Sequence, residues 1–332
     1  MLKSCKLGTV ILLIVFCISL FMTGCKENYG NHKVKLAYYG INAELPLITA
    51  FEDGYFKEEG LDVELVKIKP EDFVNDINNK LVDGGTCDYK ILKSIEDGAK
   101  IKVGAGLQSR AIEILTKAGS EIDTIQGLKN KKIGIEDRGG GAMLAAKNLF
   151  DKYNIDLSKD IIWTYLNSDK LKDSLKSGSV DGIILWGDDE NNSEFKTLFK
   201  VDDMDMSSMM GHEHNGNEYI YTDFAGISKE ISDSYPEKAA AILRAWIKGA
   251  NKVGENSDEC IKKSIDDGYI NGSYEENSQE IKQYMWMPSV KVAEDNLKGY
   301  IKIQKSIGIL SNSLDEDEFY KNSFAEVLPH WN

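Results

Sequence analysis

The chain has 332 residues, with 54 acidic side chains against 40 lysines and arginines, and its formal net charge is −14. This length supports a large core and more than one lobe. The acidic balance argues against nucleic-acid binding and against unaided attraction to anionic lipid.

The N-terminal segment has the pattern of an export signal. Two lysines precede an apolar run over residues 7–22, and small residues lead from this run into Cys25. This order predicts a secretory signal peptide over 1–24. It also resembles the lipobox of bacterial lipoproteins, which implies cleavage before Cys25 and attachment of a diacylglycerol, a palmitate-type anchor, to its thiol. An uncleaved anchor helix is the alternative, because the run is only slightly shorter than the ~20 residues of a membrane span.

Cleavage would leave a lipidated tether over 25–32 and a mature chain of charge −16, because only two lysines carry charge in the removed segment. Two further cysteines, Cys87 and Cys260, remain beyond the tether. So few cysteines argue against a disulfide framework, and two buried thiols or a single bridge between them stay open.

Strands and helices alternate through the first part of the chain. Short apolar runs bounded by Gly, Asp or Lys predict strands at 34–39, 63–68, 101–105, 112–116, 132–135, 161–165 and 180–185. Helical spacing predicts helices between them, at 45–53, 72–81, 89–97, 142–153 and 171–177. This alternation predicts an α/β fold with mostly parallel sheets and helices on both faces.

From Pro236 onwards the predicted elements are all helical. They lie at 236–253, 258–267, 278–286, 290–307 and 315–324. Pro236 suits a first helical position, and Trp246 falls on the apolar stripe of the first helix, which predicts a core position. The chain has five prolines and no Gly/Ser-rich tract, so two lobes would be joined by short crossings.

Four segments resemble one family. They are AFEDGYFKEEGLDVELV at 50–66, TIQGLKNKKIGI at 124–135, LKSGSVDGIILW at 175–186 and YPEKAAAILRAWIKGANKVGENSDEC at 235–260. In this order they are similar to the ABC-transporter solute-binding proteins of the sulfonate, nitrate, taurine and thiamine-pyrimidine-precursor group. The resemblance implies the two-lobed type II periplasmic-binding-protein fold. It places the first lobe at 33–115 and, with mainly helical structure, at 225–332, and the second lobe at 116–224.

The resemblance also implies a function. A monomeric, lipid-anchored receptor on the outer face of a bacterial cell membrane would capture a small anionic solute between its lobes. It would deliver this solute to a transmembrane permease with its cytoplasmic ATPase. A thiamine pyrimidine precursor is the alternative solute, and a structural lipoprotein without a solute remains a further alternative. The enzymatic branch of the group carries a cysteine-rich stretch that this chain lacks, and no GxSxG or HExxH motif occurs, so we expect neither catalysis nor a cofactor.

Candidate binding residues follow from the rule that open α/β sheets bind ligands beyond the carboxyl ends of their strands. The predicted loops there are 39–44, 84–88, 108–110, 138–142, 186–188 and 221–223. Polar and aromatic wall residues in these loops are Tyr39, Asn42, Thr86, Cys87, Gln108, Trp186 and Tyr221. For the aromatic residues, core packing is an equally open interpretation.

The segment Arg138-Gly139-Gly140-Gly141 lies between a predicted strand and a predicted helix. Glycines allow backbone N–H groups to approach a ligand, and a helix N-terminus favours an anion. Arg110 lies in another of the loops, and the two guanidinium groups suit a sulfonate or carboxylate. A turn without a ligand is the alternative, and Arg244, in the long helix, is expected to serve in packing.

The segment 202–218 combines methionines and histidines. Met209, Met210, His212 and His214, with Met204 and Met206, offer ligands for copper, nickel or zinc. Their spacing matches no closed metal site, so a polar connector is the favoured interpretation and a metal-binding lipoprotein the alternative.

Overall fold

Two mixed β-sheets organise the part of the chain that the structure describes. The structure is a computed structural model, and it describes residues 33–187, 193–200 and 219–328. The predicted signal peptide, Cys25 with its tether, and the segment that contains Met209, Met210, His212 and His214 lie outside these residues.

The first sheet has six strands. They are β1 Val34–Tyr38, β2 Val63–Lys67, β3 Gly84–Asp88, β4 Ile101–Arg110, β10 Tyr221–Ser228 and β11 Tyr284–Met285. Their spatial order is β11-β4-β10-β3-β1-β2. Strand β1 runs parallel to β2 and β3, whereas β10 runs antiparallel to β3 and β4, and β11 antiparallel to β4.

The second sheet has five strands. They are β5 Ile112–Lys117, β6 Lys131–Ile135, β7 Ile161–Tyr165, β8 Gly182–Trp186 and β9 Phe195–Lys200, in the order β7-β6-β8-β5-β9. Strand β6 is parallel to β7 and β8, and β5 is antiparallel to β8 and β9. Only Ala111 separates β4 from β5, so this crossing between the sheets is short.

Both sheets contain parallel and antiparallel pairs, so the prediction of mostly parallel sheets is wrong. Antiparallel pairs arise because β10 returns to the first sheet between β3 and β4, and because β5 enters the second sheet between β8 and β9. The predicted loops 84–88, 108–110 and 221–223 are strand residues. Strand β3 begins with two glycines because its neighbours leave no room, and a Cβ on Gly84 would lie 2.5 Å from the carbonyl oxygen of Gly226.

Helices cover the sheets. They are α1 Leu45–Glu52, α2 Tyr55–Glu58, α3 Phe73–Asn78, α4 Ile91–Glu96, α5 Gly141–Lys152, α6 Ser168–Ser177, α7 Lys229–Ser234, α8 Pro236–Asp266, α9 Tyr274–Ile281, α10 Val290–Ser306 and α11 Glu316–Ser323. The two helices predicted at 236–253 and 258–267 are the two parts of α8, which are separated by a kink at Asn256, where the backbone is not helical. No helix of the described ranges is long and apolar enough to span a membrane.

Each sheet has its own hydrophobic core, and helices α5 and α10 contribute side chains to both cores. Trp246, fully buried in the first core, confirms its predicted position. Leu144 of α5 packs in the first core, whereas Ile303 of α10 packs in the second. Cys87 and Cys260 are both buried and free, so of the two arrangements that the sequence left open the structure has two separate thiols.

Candidate functional site

The carboxyl ends of β1, β3 and β4 lie at the same edge of the first sheet as the start of β10. In β10, Asp223 pairs in register with Asp88 of β3 and with Gln108 of β4. Polar residues from neighbouring strands therefore meet at this edge, which we call the acidic edge and define by Glu44, Asp88, Gln108, Arg110 and Asp223.

Glu44 closes the loop that follows β1. Its carboxylate is fully buried and accepts hydrogen bonds of 2.8–3.1 Å from the backbone N–H groups of Tyr39, Gly40 and Ile41. Burial raises the pKa of Glu44 to about 7, although the three N–H groups oppose the shift, and the nearby charge of Asp223 raises it further. The side chain thus fixes the loop and brings a third carboxyl group to the edge, in addition to those of Asp88 and Asp223.

Asp223 is held by hydrogen-bond donors from two strands. Thr222 Oγ1 donates to its Oδ2 at 2.7 Å, and Gln108 Nε2 donates to the same oxygen at 3.1 Å. Burial raises the pKa of Asp223 to about 6; the carboxylate of Asp88 raises it, and the guanidinium of Arg110 lowers it. The pKa of Asp88 is also raised, mainly by burial. Three carboxyl groups thus occupy this site, where Arg110 supplies positive charge and Lys90 lies 3.7 Å from Asp88.

Four buried polar atoms near this edge have no hydrogen-bond partner within the described residues. They are Asn42 Oδ1, Thr86 Oγ1, Gln108 Oε1 and Arg110 Nε. The amide nitrogens are already used, because Asn42 Nδ2 donates to Glu280 at 2.8 Å and Gln108 Nε2 also donates to the carbonyl of Ala43 at 3.2 Å. The unpartnered amide atoms are therefore acceptors, and buried polar atoms of this kind normally find a partner.

Residues far along the chain form a wall beside Arg110. Its guanidinium lies 4.6 Å from the ring centroid of Tyr284, and its Nη2 is 3.8 Å from Glu280 Oε1. Tyr284 OH donates to the same Glu280 oxygen at 2.9 Å. The sequence pattern did not indicate this wall, because it predicts one helix over 278–286. In the structure α9 ends at Ile281 and Tyr284 begins β11.

The structure places the predicted aromatic residues differently. Tyr39 is half-buried near the edge, and its hydroxyl donates to the carbonyl of Thr86 at 3.3 Å. Tyr221 is 1% exposed, and its hydroxyl donates to the carbonyl of Met287 at 2.5 Å, so it is a core residue. Trp186 is half-buried against Gly141. The structure thus packs Tyr221 in the core, which was the open alternative for the aromatic residues, and its contact with a solute stays a prediction.

Cys87 also faces the core. Its Sγ lies 3.8 Å from the carbonyl oxygen of Phe224, and a Cβ on Gly226 would be 3.0 Å from the same sulfur. Burial raises the pKa of the Cys87 thiol well above its ordinary value, and the charges of Asp88 and Asp223 raise it further. The thiol is therefore neutral and packed against β10, and its contact with a solute stays a prediction.

The glycine segment before α5 is covered by protein. Gly139, Gly140 and Gly141 are buried; Cβ atoms at these positions would lie 2.8 Å from Ile309, 2.8 Å from Tyr89 and 2.6 Å from Trp186. Arg138 Nη2 donates a hydrogen bond to the carbonyl of Ile307, just beyond the end of α10. The glycines and Arg138 thus make contacts between helices and loops of the protein, and their role in binding an anion stays a prediction. Arg244 pairs with Glu59 at 2.8 Å, a packing contact as expected.

A cavity of about 550 Å³ lies elsewhere, between α5, the turn that follows it, β7 and the end of α10. Its wall includes Met143, Trp163, Ile303 and Ile307, and it contains no residue of the acidic edge. Among the described residues, no group of three or more His, Cys, Asp or Glu side chains could hold a metal ion.

Comparisons with known proteins agree with this architecture. A comparison with curated protein sequences gives no match. Similar solved structures include a putative periplasmic sulfonate-binding protein SsuA from Methylobacillus flagellatus KT, with 18% identity over 87% of this chain and 91% of that chain and a TM-score of 0.63. SsuA from Escherichia coli, an aliphatic sulphonate binding protein, has 12% identity, 90% and 99% coverage and a TM-score of 0.60. The nitrate-binding protein NrtA from Synechocystis PCC 6803 has 15% identity, 89% and 86% coverage and a TM-score of 0.53.

These likenesses establish the periplasmic-binding-protein fold that the sequence motifs implied. The model of the family described as NMT1/THI5 like matches residues 42–260, which is more than half of the chain. The protein therefore belongs to the NMT1/THI5-like family.

Proposed function

We propose that the protein is the solute-binding lipoprotein of a bacterial ABC importer. A lipid on Cys25 would hold it at the outer face of the cell membrane, where it captures a solute and delivers it to the permease. The solute would lie between a first lobe, 33–115 with 225–332, and a second lobe, 116–224. Family membership and the fold support this role, and we propose binding without catalysis.

One observation carries the solute class: buried acceptor atoms next to Asp223 lack partners. Among the described residues, Asn42 Oδ1 and Gln108 Oε1 can only accept hydrogen bonds, Thr86 Oγ1 can accept or donate, and Arg110 Nε can only donate. A complementary solute brings several N–H or O–H donors and one acceptor. An aminopyrimidine has this pattern, with an amino group beside a ring nitrogen. A thiamine pyrimidine precursor is therefore our first candidate.

The charge of the acidic edge also favours an aminopyrimidine as the solute. An anionic solute would lie among the carboxyl groups of Glu44, Asp88 and Asp223, whose pKa values are raised mainly by burial. Repulsion adds to this, because the charge of Asp223 raises the pKa of Glu44 and the charge of Asp88 raises that of Asp223. A neutral or protonated heterocycle would relieve this repulsion. Burying its donors against carboxylates gives charge-assisted hydrogen bonds, which are stronger than neutral ones.

A small anion remains the second candidate, because Arg110 Nε is buried without a partner at this site. The sulfonate- and nitrate-binding neighbours have the same fold. In this case Arg110 would carry the interaction, and at least one edge carboxyl group would bind a proton as the anion enters.

A ligand screen on the full chain separates the two candidates. Thermal shift and calorimetry would compare a hydroxymethyl-aminopyrimidine with alkanesulfonates and nitrate. A solute at ~100 times its Kd stabilises the protein by about 2.7 kcal/mol. We expect the aminopyrimidine to do so, and expect Gln108→Ala to weaken it where the exposed control Gln126→Ala does not. Stabilisation by sulfonate or nitrate alone would instead establish the anion, and no stabilisation by any solute would contradict the receptor role.

A further inference from the structure

Helix α10 carries a buried polar stripe. Asn296, Tyr300 and Gln304 recur every four residues, so they lie on one face of the helix. None of the three is more than 2% exposed. Buried polar side chains require partners, and these three find theirs in backbone groups of other elements.

The first two residues of the stripe hold the chain where it enters the first sheet. Asn296 Oδ1 accepts the N–H of Tyr221 at 2.7 Å, and its Nδ2 donates to the carbonyl of Tyr219 at 3.0 Å. Tyr300 OH donates to the carbonyl of Tyr221 at 2.7 Å. The helix is thereby fixed to the start of β10, beside Asp223 of the acidic edge.

The third residue joins the two sheets. Gln304 Nε2 donates to the carbonyl of Tyr89, which follows β3, at 3.2 Å and to the carbonyl of Gly139, which follows β6, at 3.4 Å. Arg138 adds a second link from the β6 side, because its guanidinium donates to the carbonyl of Ile307. A cation at this place also suits the negative end of the helix dipole.

Apolar contacts also link the two sheets, and a cavity lies beside the end of α10. Ile303 packs in the second core, and Leu144 of α5 packs in the first. Yet the cavity of about 550 Å³ borders Ile303, Ser306 and Ile307, and Gln304 Oε1 has no partner among the described residues. The last turn of α10 keeps its backbone hydrogen bonds, such as that from Ile307 N–H to the carbonyl of Ile303 at 3.1 Å, while the adjacent empty volume gives it room for local opening.

We propose that Gln304 and Arg138 form a latch between the two sheets, with the last turn of α10 as its movable part. The latch holds the Gly139–Gly141 segment against Tyr89, and its release lets the sheets separate while each core stays folded. Gln304 and Arg138 are positioning residues that set the balance between closed and open forms. This inference deepens the proposed function, because a solute would reach the acidic edge through the open form.

Hydrogen–deuterium exchange of the full chain without solute tests the latch. Gln304→Ala and Arg138→Ala each remove one link, and Lys302→Ala, an exposed residue of the same helix, is the control. The reporters are the amide of Leu144, bonded to Gly140 at 2.9 Å, and that of Ile309, bonded to Gln304 at 2.8 Å. We expect these amides to exchange roughly fivefold faster in Gln304→Ala and about tenfold faster in Arg138→Ala. The difference is expected because a hydrogen bond from a charged group usually contributes more stability than one between neutral groups.

A latch predicts that acceleration stays local. The amides of β1 and β6, inside the two sheets, would keep their wild-type rates in both variants and in the control. Unchanged rates at Leu144 and Ile309, equal acceleration throughout both sheets, or loss of folded protein in both variants would each overturn the proposal. Since no solute is present, failure of the latch leaves the solute screen intact, and failure of the screen leaves the latch intact.

Discussion

Glu44 makes the stability of the protein depend on pH in an unusual direction. Its carboxyl group is fully buried, and burial raises its pKa to about 7, from an ordinary value of 4.5. In the unfolded chain the group loses its proton near the ordinary value. Between pH 4.5 and pH 7 the folded protein therefore binds a proton at Glu44 that the unfolded chain does not.

The sign of the effect follows from proton linkage. Where the folded state binds more protons than the unfolded state, the free energy of unfolding falls as pH rises. The contribution of Glu44 is fully present below pH 4.5 and is lost by about pH 7. A shift of this size corresponds to about 3 kcal/mol, at 1.36 kcal/mol for each pH unit. Asp223, whose pKa rises to about 6, acts in the same direction.

Urea unfolding of wild type and Glu44→Gln at pH 5 and pH 7 measures this contribution. The glutamine cannot titrate, so the loss of stability between the two pH values should be smaller in the variant by about 2–3 kcal/mol. Any constant loss from the altered hydrogen bonds to Tyr39, Gly40 and Ile41 cancels in this difference. Glu71→Gln, at an exposed position, is the control and should behave as wild type. An identical pH dependence in Glu44→Gln and wild type would refute the reasoning.

Three further changes have expected outcomes. Asp223→Asn should weaken the binding of an aminopyrimidine by roughly tenfold or more, measured by calorimetry, because a charge-assisted hydrogen bond contributes ~1.5–3 kcal/mol; unchanged affinity would remove Asp223 from the site. Trp246→Ala should cost about 3–5 kcal/mol of unfolding free energy, against less than about 1 kcal/mol for the exposed Tyr235→Ala. Gly139→Ala should lower the Tm more than Gly119→Ala: both have positive φ, +70° and +77°, but only Gly139 is crowded by α10 and Ile309. Equal losses would mean that backbone strain alone limits position 139.

The repeating pattern of apolar runs predicted seven strands and most helices close to their observed bounds. Four strands were missed, namely β3, β9, β10 and β11, and each pairs with a segment that is distant in the sequence. Strand β10 contains Asp223 and Gly226, which are poor strand formers, and it is defined by pairing with both β3 and β4. Strand β11 has two residues, which take their conformation from β4 alone. Local pattern cannot indicate such elements, because the information lies in distant segments of the chain.

The candidate site was predictable in position but not in charge. Asn42, Thr86, Gln108 and Arg110 follow from the rule that ligands lie beyond strand ends, and the structure brings them to one edge. Their contact with a solute stays a prediction. Glu44 lay within a predicted loop, yet sequence does not indicate that its carboxylate would be buried against three backbone N–H groups. Burial is a property of the assembled fold, and burial is what shifts the pKa.

The two arginines show why the proposed solute changes from an anion to a donor-rich heterocycle. Both were expected to face the cleft, since both follow predicted strands. Arg138 instead donates to the carbonyl of Ile307, a partner 169 residues away. Arg110 stays at the edge, but Glu280 and Asp223 lie beside it and Tyr284 covers its guanidinium. With one arginine diverted and the other partly neutralised, the carboxyl groups dominate the site, and a solute that donates hydrogen bonds fits it better than one that carries negative charge.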